Sequence, residues 1–380
     1  MILHIRRFDW PMLGTILALL TLSVFFIFSA RFQTGEEIVT GKALLREKWF
    51  MQIIWAAIGL GCYSAAAAFD YRKFKELHWW VYAGTLVLLL LVFLFPEKNN
   101  AHRWIPMPGF DLQPSEFAKI GVVFTLAGVL SDPATDVDEA VSFFKAFGLM
   151  ALPFFLIVIE PDLGTSMVLI PVTLALLFCS GAPVKPLVLL VVTGILGLAL
   201  LGVWLRFFPD TCPFLTDYQK SRVLVYLNVS QDPLGAGWNK LQSQIAVGSG
   251  GLFGKGYLKG TQNILGFLPR TVAPTDFIYS VVAEESGFVG GGLLLALYTT
   301  VTVRCMRAAV QARDLFGRLL AVGIGVLLFT HVFINIAMTV GLMPITGLPL
   351  PLMSYGGSFM VTTMGALGLV QSVYLRRRTV

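Results

Sequence analysis

The sequence predicts an all-α polytopic membrane protein of about ten transmembrane helices, each covering roughly 30 Å of hydrocarbon. Three observations predict it. The 380 residues are 56% hydrophobic and only 13% charged, against roughly 25% charged in soluble domains. Apolar runs of spanning length recur from end to end. Lysines and arginines gather in alternate short connections, as they do at a cytoplasmic membrane boundary.

The first apolar run follows Arg6-Arg7 and leads to Arg31 and a polar loop. No small-residue cleavage site lies between, so it reads as a retained helix rather than a signal peptide. The spans read as 10–30, 50–69, 78–95, 114–131, 144–160, 164–180, 186–206, 278–303, 319–340 and 357–375. The fifth and sixth are short and share the turn Glu160-Pro161-Asp162. One set of connections receives Arg6, Arg7, Arg72, Lys73, Lys75, Lys185, Arg304, Arg307, Arg313, Arg318 and Arg376-Arg377-Arg378. That side, with both termini, is assigned to the cytoplasm. The acidic loop with Asp132, Asp136, Asp138 and Glu139 is its exception.

Two stretches interrupt the pattern on the opposite, extracytoplasmic side. A long loop, 207–277, joins helices seven and eight, and a shorter one covers 341–357. The long loop carries Phe207, Phe208, Trp238, Leu252, Phe253 and Phe267, too apolar a set for disorder. It predicts short amphipathic helices at the interface. No internal repeat or soluble domain interrupts the chain, so 1–380 reads as one integral membrane domain.

Several function classes fall away. The net charge is +6 with no basic stripe interleaved with aromatics, so no nucleic acid is expected as a partner. Cys62, Cys179 and Cys305 fall in or beside helices, and Cys212 stands in the long loop without an evident partner. No CxxC, Cys/His or HExxH spacing suggests zinc. The run Gly248 to Gly256 imitates a phosphate-binding loop but puts Ser249 and Gly256 where Gly and Ser/Thr are required.

Three sites lie at helix mouths on the extracytoplasmic side. Asp276, in Pro274-Thr275-Asp276-Phe277, precedes a long apolar span. It suits a helix N-cap. It also suits a general base whose pKa is raised by an apolar setting. Glu284 and Glu285 follow two turns on, with Glu284 on roughly the same helical face as Asp276. Glu116 and Lys119, spaced i,i+3 after Pro114, can pair and steady a helix start. Ionisable groups inside a membrane are by default functional. Glu160 and Asp162 share one short turn, and Asp162 could hold a divalent cation (Mg or Mn) or orient Lys119. External cations able to meet phosphate are Arg103, Lys220, Arg222, Lys240, Lys255 and Lys259, each equally readable as a snorkelling interfacial side chain.

These motifs resemble the SEDS family (shape, elongation, division, sporulation), and its RodA-type elongation branch in particular. The resemblance runs from first span to last. Its carriers are HRWI at 102–105, QPSEFAKI at 113–120, EPDLGTS at 160–166, GSGGLFGKGYLKGTQ at 248–262, PTDFIYSVVAEESG at 274–287 and GLMPITGLPLPLMSYGGS at 341–358. The GTQ at 260–262 and MPITGLPLP at 343–351 resemble the elongation rather than the division branch. The resemblance implies a peptidoglycan glycosyltransferase of the bacterial inner membrane. Such an enzyme polymerises lipid II outside the membrane beside a class B penicillin-binding protein and other elongation-complex membrane proteins. It implies Asp276 as the catalytic aspartate, Glu116 and Lys119 as the family's intramembrane pair, and Asp162 as its PDLGTS aspartate. Arg103, Asp162, Lys255, Glu284, Ser354 and Gly356 are the substrate-binding candidates. Three positions depart from the family pattern: Glu160 stands where Gln is usual, Arg270 follows Pro269, and Pro274 replaces a His.

Lipid II is α-linked and the polymer β-linked, so the reaction inverts. Asp276 is expected to take the acceptor proton, with Arg103, Lys119 and a divalent cation meeting the pyrophosphate. Two other readings stand beside this one: a lipid II flippase or transporter, and a non-catalytic scaffold of the wall-synthesis complex.

Overall fold

The computed structural model describes residues 7–32, 47–97, 101–107, 110–135, 140–207, 217–227, 232 and 235–378. Arg6, Asp136, Asp138, Glu139, Phe208 and Cys212 lie outside the described residues. Among those described, nine helices are long and apolar enough to cross a membrane. They are α1 (Trp10–Arg31), α2 (Lys48–Ala68), α3 (His78–Leu91, within the span Tyr71–Leu94), α5 (Ala140–Ile159), α6 (Leu163–Ser180), α7 (Val184–Phe207), α11 (Ile278–Gln311), α12 (Leu315–Thr339) and α13 (Gly357–Leu375). A tenth, α4 (Pro114–Leu130), is 17 residues long, about 26 Å at 1.5 Å per residue. Each span read from the sequence falls on one of these ten.

The starts follow local chemistry. Asp9, Asp162 and Asp314 stand before α1, α6 and α12 and accept from the amides of Met12 (3.1 Å), Thr165 (3.2 Å) and Gly317 (2.7 Å). An aspartate at this position satisfies an amide that has no partner within the helix. Pro114 opens α4 with Glu116 in its first turn.

Short α4 is buried along almost its whole length and, with α12 and α13, forms the centre of the bundle. Helix α7 is the opposite case. Only Leu187 and Leu205 on it are buried, so its long apolar surface faces outward. This is the pattern of a helix whose neighbour is lipid rather than protein.

The two ends of the bundle differ. At the end carrying both termini, Arg304 Nη2 pairs with Asp9 Oδ1 at 2.6 Å and Arg72 with Asp70 at 2.9 Å. There too the Tyr71 hydroxyl donates to Asp314 at 2.6 Å. The opposite end, called here the loop end, carries the antiparallel ribbon β1 (Ile105–Met107) and β2 (Phe110–Leu112). It also carries α8 (Asp217–Leu227), α9 (Ala236–Ser249), α10 (Thr261–Ile264) and the segments 265–277 and 341–356.

One span departs from the sequence reading. Helix α11 is interrupted at Gly287, whose φ of 65° and ψ of −163° split it into two arms. The cause is close approach: a Cβ at Gly287 would stand 2.3 Å from the Gly254 amide nitrogen. Only glycine tolerates both that contact and that backbone. Glu284 and Glu285 therefore sit on the short arm before the kink. Asp276 precedes the helix altogether, since Phe277 is the N-cap.

Candidate active site at the loop end

Asp276 sits where two segments are tied together. Its backbone carbonyl accepts from Asn335 Nδ2 at 2.8 Å, and the same amide group donates to Leu348 O at 2.7 Å. Ser354 Oγ donates to Thr275 O and accepts from Leu350 N at 2.8 Å. The Tyr355 amide donates to Pro274 O at 2.8 Å. From below, Ser23 Oγ holds Met353 O at 2.7 Å and the Tyr298 hydroxyl holds Pro351 O at 2.5 Å. The bonds from Asn335, Ser354 and Tyr355 to 274–276 join residues far apart in sequence, so 274–276 and 348–355 form one scaffold. Their buried carbonyls would otherwise be unsatisfied.

The Asp276 carboxylate is half-buried. Across from it lies Arg222 of α8, anchored by an Nη1 bond to Ile345 O of 3.1 Å. Gly347, at φ 75°, lies between them. A Cβ built there would stand 3.5 and 3.6 Å from Arg222 Nη1 and Nη2, and 3.6 Å from Asp276 Oδ2. Lys48, opening α2, donates to Thr271 O at 3.3 Å and lies over the Tyr355 ring at 5.6 Å. Burial pushes the Asp276 carboxyl above its ordinary value of 3.8, and the Asp162 charge adds to the rise. Arg222, a hydrogen bond from Thr275 and Lys48 oppose it. Desolvation disfavours the anion, and nearby cations favour it.

A second group surrounds the turn between α5 and α6. Arg103 Nε donates to Glu160 O at 3.1 Å, and its Nη2 donates to Pro161 O. Asp162 is buried; its oxygens accept from Thr165 N and from Thr165 Oγ1 (2.9 Å), with Gln113 Nε2 at 3.3 Å. Both oxygens thus serve the start of α6. Among the described residues no three His, Cys, Asp or Glu side chains converge as metal ligands. The Asp162 turn therefore offers no three-ligand protein cage for a cation among the described residues. Glu160 is wholly enclosed, and neither of its carboxyl oxygens has a hydrogen-bond partner. Burial, then Asp162, push its pKa up to about 8 against the pull of Arg103.

Glu116 and Lys119 lie inside the bundle rather than at its mouth. Lys119 is 1% exposed and Glu116 3%. Lys119 Nζ donates to Glu116 Oε1 at 2.9 Å and to His331 Nε2 at 2.7 Å, beside the Phe359 ring. His331 Nδ1 bonds to Leu327 O at 2.8 Å, so Nδ1 carries the hydrogen and Nε2 accepts. A cavity of about 30 Å³ adjoins the pair. The structure does not turn Lys119 toward Asp162.

Glu284 and Lys255 close on each other. Lys255 Nζ donates to Glu284 Oε1 at 2.6 Å, and Thr261 Oγ1 and Gln262 N donate to the same oxygen at 3.0 and 3.1 Å. They form a clasp that fixes the glycine-rich segment on the short arm of α11. The structure does not bring Glu284 beside Asp276. Ser354 works through the scaffold, and Gly356 is the N-cap of α13.

Of the sequence candidates, then, Asp276 and Ser354 share one scaffold, and Arg103 and Asp162 share the neighbouring turn. Asp162 lies within electrostatic reach of both Asp276 and Glu116. Three residues escaped the sequence reading: Lys48, Asn335 and His331. Asn335 and His331 are polar side chains inside an otherwise apolar run, which is a usable signal in a membrane helix. Lys48 stands at a helix mouth, where a lysine is ordinary, and gave none.

The model of the cell cycle protein family FtsW/RodA/SpoVE matches residues 10–379. The chain is 38% identical to the peptidoglycan glycosyltransferase MrdB of Escherichia coli, over 97% of this chain and 94% of that one. It is 33% identical to the peptidoglycan glycosyltransferase RodA of Treponema pallidum, over 98% and 99%. A chain solved in a peptidoglycan synthase complex that coordinates polymerization and crosslinking superposes with a TM-score of 0.76, at 28% identity over 97% of each chain. On the strength of the matched length and of these identities, the chain belongs to the FtsW/RodA/SpoVE family of cell cycle proteins.

Proposed function

We infer that this multi-pass membrane protein is a peptidoglycan glycosyltransferase that polymerises lipid II, with Asp276 as general base. The observation that carries the reading is the placement of Asp276: a half-buried carboxylate on a braced scaffold, with Arg222 and Lys48 around it. The acceptor sugar hydroxyl gives its proton to Asp276 as its oxygen attacks the donor anomeric carbon. The bond to the pyrophosphate breaks with inversion, and the electron pair leaves with the phosphate. Lys48 and Arg103 supply positive charge for the leaving group. The polyprenyl chain stays in lipid, along outward-facing apolar helices such as α7.

The concentration of Arg and Lys at the terminal end supports a cytoplasmic location for both termini and an extracytoplasmic active site in the inner membrane. The likeness to a chain of a synthase complex supports a class B penicillin-binding protein as partner, among other elongation-complex proteins. Glu116 and Lys119 are too enclosed to touch substrate. Their role is to position α4 against α12 and α13.

The flippase reading would draw on that buried polar cluster. Its cavity of about 30 Å³ takes a water or so and is far too small for a disaccharide. The deciding experiment is strand synthesis from lipid II by purified protein, with and without the cognate penicillin-binding protein. The Asp276→Ala variant is expected to make no strands. Strand growth by that variant would refute the assignment, and lipid II translocation without polymer would favour a transporter.

A further inference from the structure

Gly347 is not a glycine by crowding. A methyl at its Cβ position would make ordinary van der Waals contacts, at 3.5 and 3.6 Å to Arg222 and 3.6 Å to Asp276. The space beside its Cα is therefore open, and it is bounded by a cation on one wall and a carboxylate on the other. Both walls are held. Ile345 O, two residues away on the same loop, fixes the guanidinium. Asn335 fixes the backbone of Asp276 and of Leu348, on the other side of Gly347. A single oxygen placed in that space can donate to the carboxylate and accept from the guanidinium.

We propose that the space beside Gly347, between the Arg222 guanidinium and the Asp276 carboxylate, seats the acceptor sugar hydroxyl, and that Arg222 is a catalytic residue stabilising that oxygen as its proton leaves. This rests on the glycosyltransferase reading above and adds to it the acceptor seat and its second wall. In the step, the hydroxyl O–H bond breaks and the proton passes to Asp276 Oδ2. The oxygen's electron pair forms the bond to the donor anomeric carbon. The bond from that carbon to the pyrophosphate oxygen breaks, and its pair leaves with the phosphate. Negative charge builds on the acceptor oxygen only as the proton departs, so a donor aimed there acts chiefly in the transition state. The slot is also selective: any side chain at 347 occupies the oxygen's place.

The test uses full-length protein with lipid II, alone and with its penicillin-binding partner. It compares wild type with Gly347→Ala, Arg222→Gln, Arg222→Lys and Asp276→Ala. Lipid II binding and thermal melting are measured beside turnover. The proposal expects Gly347→Ala and Arg222→Gln to lose about 100-fold or more in turnover, the scale of removing one oxyanion donor. Binding of the donor is expected to stay within a few-fold of wild type, and Arg222→Lys is expected to recover part of the rate. The left-handed φ at 347 penalises alanine, so if Gly347→Ala does not fold, Arg222→Gln decides. The proposal fails if Arg222→Gln, or a folded Gly347→Ala, turns over within a few-fold of wild type. Should Asp276→Ala be dead in that same assay, the base survives and only the seat is lost. Should Asp276→Ala be active, both readings fall.

Discussion

Asn335 holds Asp276 by its backbone, not by its carboxylate: one side-chain amide reaches the carbonyls of Asp276 at 2.8 Å and Leu348 at 2.7 Å. The residue comes from α12, one of the central helices of the bundle, and spans the two segments that meet at the loop end. Asn335→Leu leaves both carbonyls without this donor. An unsatisfied buried polar group costs about 1–3 kcal/mol. The variant is expected to melt earlier and to lose strand synthesis beyond what the lost stability explains. Unchanged turnover in a folded Asn335→Leu protein would show that the scaffold does not set the position of the carboxylate.

Asp276 also predicts a pH profile. A general base acts ionised, and burial raises this carboxyl above 3.8, with Asp162 adding to the rise. The acid limb of the rate profile should therefore lie above the ordinary carboxylate range, with rate rising as pH rises through it. The charged groups facing Asp276 are Arg222 from α8, Lys48 from α2 and Asp162 before α6. Removing a cation disfavours the anion, so Lys48→Met should move the limb further up. A limb that stays in place when Lys48 is removed would place that charge outside the site.

The intramembrane pair makes a prediction about stability. Glu116, Lys119 and His331 satisfy one another in the middle of the bundle. Removing one partner of a buried pair costs about 3–5 kcal/mol because the other charge is left uncompensated. Glu116→Gln or Lys119→Met alone should therefore lower the melting temperature sharply. The double variant should recover much of the loss. If both singles melt like wild type yet make no strands, the pair touches the reaction directly.

How far the sequence carried these arguments differs from residue to residue. The ten helices were legible because bilayer thickness sets helix length. Capping was less legible: Asp276 suited an N-cap, yet Phe277 holds that position, while Asp9, Asp162 and Asp314 cap α1, α6 and α12. Asp276 was visible as a carboxylate at a helix mouth, and the Glu116–Lys119 pair as an i,i+3 spacing. The partners of these groups were not visible, because they arrive through tertiary contact: Asn335 is 59 residues from Asp276, and His331 is 212 from Lys119. The kink at Gly287 was hidden for a similar reason. A glycine inside an apolar run looks like any other small residue until Gly254 packs on it. Glu284 then looked like a second site carboxylate, when Lys255 already occupies it.

Glu160 yields the last prediction. Its side chain is fully enclosed, its carboxyl oxygens have no hydrogen-bond partner, and its pKa is pushed up to about 8 from 4.5. In the unfolded chain the same group ionises near its ordinary value. Between pH 4.5 and about 8 the folded protein therefore holds a proton that the unfolded chain has released. Where the folded state binds more protons, stability falls as pH rises. Glu160 thus weakens the fold progressively across that window, and fully above it, when the carboxyl must ionise next to Asp162. Glu160→Gln replaces the acid with a neutral isostere. It should flatten the decline of melting temperature between pH 5 and 9, on the scale set by a carboxyl pKa of about 8. It should leave strand synthesis at neutral pH near wild type. Parallel declines in wild type and Glu160→Gln would mean that the carboxyl ionises freely in the fold and that Arg103, not burial, governs it.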